Sequence, residues 1–298
     1  MQKSDSQTID SHIQMPKTVL RRFTNNGLLF VYDFSDGRIK KGGPKSINVQ
    51  KGYYSDKTED YLNRMIEDPL GKLICQVEKS DFSEKPFVPA EHMEEAFVKY
   101  LQALICRGEL LIKKTTHVNP ELRQLNEQNL HDTVVKGGLR LAEENNLFGE
   151  YRMTFLENRT SIPFVLPLGG HYAPLLEKGR IIIVPITPRY AIYFMTEEIS
   201  EKYTEGNDMK RLYVDDEETT WSLNRLAFIY ERDQNGQGVV SGSKKLLIDL
   251  AKSLQLPCND KIEFTKTSDD RALTDTEDLL VEYEEDYKMM ASASEQKC

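Results

Sequence analysis

Four cysteines, one tryptophan and five histidines serve 298 residues, and that scarcity removes several kinds of chemistry at once. Cys75, Cys106, Cys258 and Cys298 contain no CxxC pair, so neither a disulfide framework nor a zinc ribbon is expected. Reduced thiols of this kind point to the cytoplasm. His12, His92, His117, His131 and His171 form no HxH or HExxH pattern, so no metal site is expected on one element. No apolar run nears the roughly 20 residues that span a bilayer. The opening MQKSDSQTIDS lacks a signal-peptide core, and no membrane contact is expected. There is no GxSxG or Cys/His family signature, and no cofactor motif is identified. Gly236–Gly242 has the composition of a phosphate loop without its spacing, and reads as a helix–turn–helix connection with a turn or short strand.

What is present is charge, and it is sharply segregated. Pro16 to Lys51 holds eight Lys or Arg against two Asp, a net +6, within a chain whose formal charge is −9. Asp260 to Cys298 holds 12 acidic residues against 5 basic ones, a net −7, so the remainder sums to only −2. Repulsion of nucleic acid therefore belongs to the C-terminal tail and not to the body. The expected partners are nucleic acid or a nucleotide at the basic lobe, and a protein at the acidic tail. Arg22, Arg38, Lys40 and Lys41 could follow a phosphate backbone, with Phe34, Tyr53 and Tyr54 stacking on bases. The plainer reading of such a hairpin is a solvated basic face.

The pattern along the chain predicts an α+β fold: a central antiparallel or mixed sheet with an N-terminal β-hairpin, flanked by a helical cluster. Residues 1–11 read as a disordered lead-in, 12–257 as one domain, and 258–298 as an acidic, partly disordered tail with a short helix near Glu277–Tyr287. A short helix after Pro16 leads to strands over Leu28–Phe34, Ile39–Gly43 and Ser46–Gln50, with Ser35-Asp36-Gly37 as the hairpin turn. Apolar spacing of three and four predicts helices over Thr58–Glu78, kinked or restarted at Pro69, and over Glu91–Cys106. Two more are expected at Pro120–Val135 and Leu139–Asn146, parted by Gly137-Gly138. Strands follow at Tyr151–Glu157, Ile162–Leu166, Ile181–Ile186 and Tyr190–Met195, then helices at Glu217–Glu231 and Ser243–Leu254, the latter capped by Ser243.

Several segments, in order, resemble the bacterial domain of unknown function 4238 family: His12, Pro16, Leu20-Arg21-Arg22-Phe23 and Val31-Tyr32-Asp33 at the start, then Tyr53-Tyr54 and Glu67. Val184-Pro185-Ile186-Thr187-Pro188-Arg189 and Leu223-Asn224 with Ala227 resemble its later strand and closing helix. The similarity covers about residues 12–250. Two departures stand out: His12 lies four residues before Pro16 rather than three, and Leu166–Gly170 has no Asp where the family has a Ser-Asp-x-Pro turn. The resemblance implies an accessory bacterial protein with a role in phage defence or toxicity and no particular reaction; the basic lobe, joined to these family-like polar residues, points to a nuclease-like or nucleotide-acting effector. On that reading His12, Glu67, His171 and Asn224 are the candidate catalytic residues and Arg22 and Arg107 the phosphate clamps. The alternative is a non-catalytic binding protein whose acidic tail docks a partner or shields the basic lobe. His171, in Leu168-Gly169-Gly170-His171-Tyr172, is either a site residue at a strand end or a polar residue in an exposed turn.

Overall fold

Strand alternation decides this architecture, because the inner strands of the two main sheets bury apolar side chains on both faces. In the computed structural model, which describes residues 10–79, 91–146, 148–149, 151–173, 175–176, 179–197, 199–200 and 212–263, two five-stranded sheets share two cores. The chain begins with β1 (Asp10–His12), α1 (Lys17–Leu20) and a 3-10 turn (Arg21–Phe23). Strands β2 (Leu29–Asp33), β3 (Arg38–Gly42) and β4 (Val49–Lys51) follow. A long helix then runs as α2 (Asp56–Leu62), a π-helical turn (Asn63–Glu67) and α3 (Asp68–Lys79). Next come α4 (Glu91–Cys106), α5 (Glu109–Val118) and α6 (Glu127–Glu144). The second half supplies β5 (Tyr151–Asn158), β6 (Leu166–Pro167), β7 (Leu175–Leu176), β8 (Gly179–Pro185), β9 (Tyr190–Thr196) and β10 (Leu212–Val214). It ends with α7 (Glu217–Asp233), β11 (Gly238–Ser241), α8 (Lys244–Ser253) and β12 (Asn259–Glu263).

The first sheet has the order β12-β3-β2-β11-β6, the second β10-β5-β9-β8-β7, and β1 pairs with β4 in a separate ribbon. Each sheet is antiparallel except at one edge, where β12 runs parallel to β3 and β10 parallel to β5. The fold is thus α+β as expected, with two mixed sheets where one was anticipated. Alternate residues enter different cores. Leu29, Val31, Val240, Ile182, Val184, Ile192 and Phe194 meet the helices α1 to α4. Tyr32, Val239, Ile183, Ala191, Tyr193 and Met195 meet α7 and α8. No helix among the described residues is long and apolar enough to cross a membrane.

Local differences from the sequence reading have physical causes. Pro69 restarts the helix, which passes there from the π-turn into α3. Its missing N–H and its ring are accommodated by the π-turn just before it, and the helix continues to Lys79. Gly137 and Gly138 do not split α6, which is preceded by a 3-10 turn at Pro120–Gln124. A Cβ at Gly138 would lie 2.6 Å from Cys106 Sγ, so the glycine lets α6 approach α4 closely. Helix α5 has no counterpart in the sequence reading. The Ile162–Leu166 segment is strand only from Leu166, because the Asn224 side chain takes its polar backbone groups instead. Asn224 Nδ2 donates to the Pro163 carbonyl at 2.9 Å and Oδ1 accepts from Val165 N at 2.9 Å. Gly238–Ser241 is the short strand of the two forms expected between helices α7 and α8, and it pairs with β2 and β6 inside the sheet rather than forming a plain turn. Strand β12 carries the ordered body beyond residue 257, and β1 begins inside the supposed lead-in. The helix proposed at Glu277–Tyr287 lies outside the described residues.

Two glycines give opposite expectations. A Cβ at Gly238 would sit 2.2 Å from the Tyr32 carbonyl oxygen, whereas one at Gly137 meets nothing within 4 Å. Gly238→Ala should lower stability by about 1–3 kcal/mol, and Gly137→Ala, in a helix interior, should raise it by up to about 1 kcal/mol. Urea unfolding midpoints check both.

Candidate functional site

Arg107 follows the last residue of α4 and is only 2% exposed, which makes it the largest charged group buried in the described residues. Its backbone N–H still bonds the Ala103 carbonyl, so the helix geometry itself aims the side chain inward. Nη2 donates to Glu67 Oε1 at 2.9 Å and Nη1 to the Gln14 carbonyl at 3.1 Å. The guanidinium carbon lies 5.9 Å from the Tyr54 ring centroid. Burial would lower the Arg107 pKa, but the Glu67 carboxylate and Tyr54 more than offset it, and the group stays charged.

The π-turn is what delivers Glu67. Ile66 and Glu67 are both buried within it. One face of the same helix also carries Glu59, a residue that no motif singles out. Burial pushes the Glu59 carboxyl up to about 7; Arg107 opposes the rise, Glu67 adds to it, and the Ser11 hydroxyl pulls the other way.

This neighbourhood collects buried polar atoms without hydrogen-bond partners among the described residues. They are Arg107 Nε, Gln14 Oε1, Glu59 Oε2 and both amide atoms of Asn48. Asn48 is tied in through its carbonyl, which accepts from Ile13 N at 2.9 Å, next to Gln14. Leaving such groups unanswered is costly, so their concentration around one cation marks a buried polar cluster, termed the Arg107 chamber, with hydrogen-bonding capacity to spare. Glu59 is its half-buried member, with Oε2 turned inward.

The sequence-derived candidates meet only in part. Glu67 and Arg107 are in direct contact. His12 lies on β1 opposite Val49, half-buried and one residue from Ser11. The His171 loop approaches the same region through Gly170, where a Cβ would collide with Leu104 and Met15. The His171 ring itself turns away: Nδ1 donates to the Gly169 carbonyl at 3.1 Å, and the ring meets Tyr230 edge-on at 5.7 Å. Burial lowers its pKa, with the Gly169 bond opposing, so the imidazole is neutral near pH 7. Asn224 lies elsewhere, its amide committed to the 163–165 backbone.

The proposed phosphate-tracking residues already have neighbours. Arg22 donates to Glu78 at 2.6 Å and to Cys75 Sγ at 2.8 Å. Lys40 pairs with the buried Asp33 at 2.6 Å, Arg38 lies 3.9 Å from Asp36, and Lys41 sits 5.9 Å from the Phe30 ring centroid. Tyr53 and Tyr54 are not stacking platforms for bases. Tyr53 packs on His131 at 3.8 Å and the Tyr54 hydroxyl donates to the Ile13 carbonyl, while Phe34 packs on Tyr32 and Phe228.

No family model, curated protein or solved structure matches the chain. The chamber therefore has to be read from its own chemistry. Sequence reasoning missed Glu59, Gln14 and Asn48. Glu59 shares a helix face with Glu67, and the eight-residue interval is the signal that could have found it.

Two outcomes follow. Arg107→Met strands Glu67 without its cation and should cost about 3–5 kcal/mol, read from denaturant unfolding. For Glu59, the folded pKa lies above its ordinary value of 4.5, so its contribution to stability is fully present below that value. The contribution is lost as pH rises towards about 7. Glu59→Gln should remove that loss, gaining on the native protein at pH 8 compared with pH 5.

Proposed function

We propose that the protein is a nuclease-like or nucleotide-acting enzyme of the bacterial cytoplasm, a phage-defence or toxicity effector akin to the domain of unknown function 4238 family, reacting at Glu59. The observation that carries this reading is a carboxyl poised near pH 7 beside a buried guanidinium. Phosphoryl chemistry asks for those two parts: a group that exchanges a proton near neutral pH, and fixed positive charge where negative charge develops. Glu59 takes the proton of the attacking water as the new P–O bond forms. On this reading Arg107 Nε–H donates to a phosphoryl oxygen, and the departing oxygen takes up a proton from solvent water as the old P–O bond breaks. Glu67 and the Gln14 carbonyl hold the guanidinium in place.

Turnover of single- and double-stranded DNA, RNA and nucleotides at low salt tests this. Glu59→Gln should lower the rate by at least about a hundredfold while remaining folded, and the native rate should rise with pH through about 7. A native protein inert on all these substrates, or a Glu59→Gln variant of native rate, overturns it.

A second reading, a binding protein with a shielding tail, is favoured by one register. The strand β12 pairs in parallel with the basic β3, Glu263 beside Lys40, and leads into residues 264–298 with ten acidic and four basic residues. On this reading, removing 264–298 raises affinity for nucleic acid in proportion to low salt.

A further inference from the structure

A second site lies where β5 ends, away from the Arg107 chamber. A cavity of about 430 Å³ opens between the Asn158–Ser161 loop and the Pro188-Arg189 turn. Its walls are fastened together: Asn158 N–H donates to the Arg189 carbonyl at 2.8 Å. The Asn158 side chain holds the loop, accepting from Thr160 N at 3.0 Å and donating to the Ile162 carbonyl at 2.6 Å. Beneath sits Glu157, 2% exposed, which binds both cavity arginines. Arg159 Nε reaches its Oε2 at 2.8 Å and Arg189 Nη2 its Oε1 at 2.7 Å. Each contact uses one nitrogen of a guanidinium, and both side chains stay largely exposed at 42% and 62%.

The charges sum informatively. Two guanidiniums against one buried carboxylate leave a single net positive charge, and Glu217, which accepts from Ser161 Oγ at 2.5 Å, trims the potential further at the rim. Such a site suits a monoanion better than a dianionic terminal phosphate. The Arg159 guanidinium also lies 4.2 Å from the ring centroid of Tyr213, and that ring is 54% exposed. A planar cation held rigidly on an exposed aromatic ring is a surface on which a base can stack.

We propose that this cavity holds one internal nucleotide of a single-stranded nucleic acid, its phosphodiester on Arg159 and Arg189 and its base on the Tyr213–Arg159 stack. The inference rests on the reading that the protein handles nucleic acid, and adds a binding subsite separate from Glu59.

Fluorescence anisotropy of a labelled single-stranded oligonucleotide of about 12 residues with the full chain, over a salt series, tests it. Tyr213→Ala should weaken binding about tenfold. Arg189→Gln should weaken it at least as much and reduce the slope of log affinity against log salt by about 0.7. Tyr213 is exposed, so its variant keeps the test valid if Arg189→Gln fails to fold. Native affinity in Tyr213→Ala, or displacement of the oligonucleotide by polyglutamate at equal charge concentration, overturns the proposal. Binding and turnover fail separately: a native rate in Glu59→Gln with weakened binding in Tyr213→Ala removes only the Glu59 reading, and the converse removes only this one.

Discussion

A guanidinium buried almost completely has to be answered inside the protein, and the answer to Arg107 determines how three distant stretches of chain meet. The carboxylate comes from the π-turn at Asn63–Glu67, the carbonyl from the segment after β1, and the cation from the end of α4. Taking such charges out of water costs several kcal/mol per ion, so the pair holds only if the geometry is kept. The hydroxyls of Tyr54 and Tyr100 add to it, one donating to the Ile13 carbonyl and the other to Met15 Sδ, along the same stretch that Arg107 clamps. The N-terminal strand is thereby part of the core and not an appended arm.

That constraint also explains why a proton-exchanging group arises here. Once Arg107 is committed to Glu67 and Gln14, its remaining field only partly offsets the burial of Glu59 and its repulsion by Glu67. The π-turn that precedes Pro69 holds Glu67, the neighbour whose charge repels Glu59. The Pro69-driven widening of the helix and the chemistry of the chamber are thus one feature seen at two scales.

Much of the fold is legible in the residues themselves. Leu70, Leu73, Ile74 and Val77 place the buried face of α3, and Ser243 caps α8 through Leu246 N as its position suggests. What escapes is the set of elements decided by partners far away. Gly138 looks like a breaker until Cys106 is beside it, and Ile162–Val165 looks like a strand until Asn224 supplies its hydrogen bonds. The chamber escapes for the same reason: Gln14, Asn48 and Glu59 are ordinary polar residues whose burial is a tertiary fact. Glu67 could be named from resemblance and Arg107 as a phosphate clamp, whereas the commitments of His171 and Asn224 to nearby backbone could not be anticipated.

The pairing of β2 has an implication for how the protein is made. Its first neighbour, β3, is synthesised within a few residues, but its other neighbour, β11, arrives only after more than two hundred further positions have been added. Throughout that interval the edge of the N-terminal hairpin that will receive Val239 and Val240 stays unsatisfied, an open template for any passing strand. The first sheet begun on the ribosome is therefore among the last to be closed.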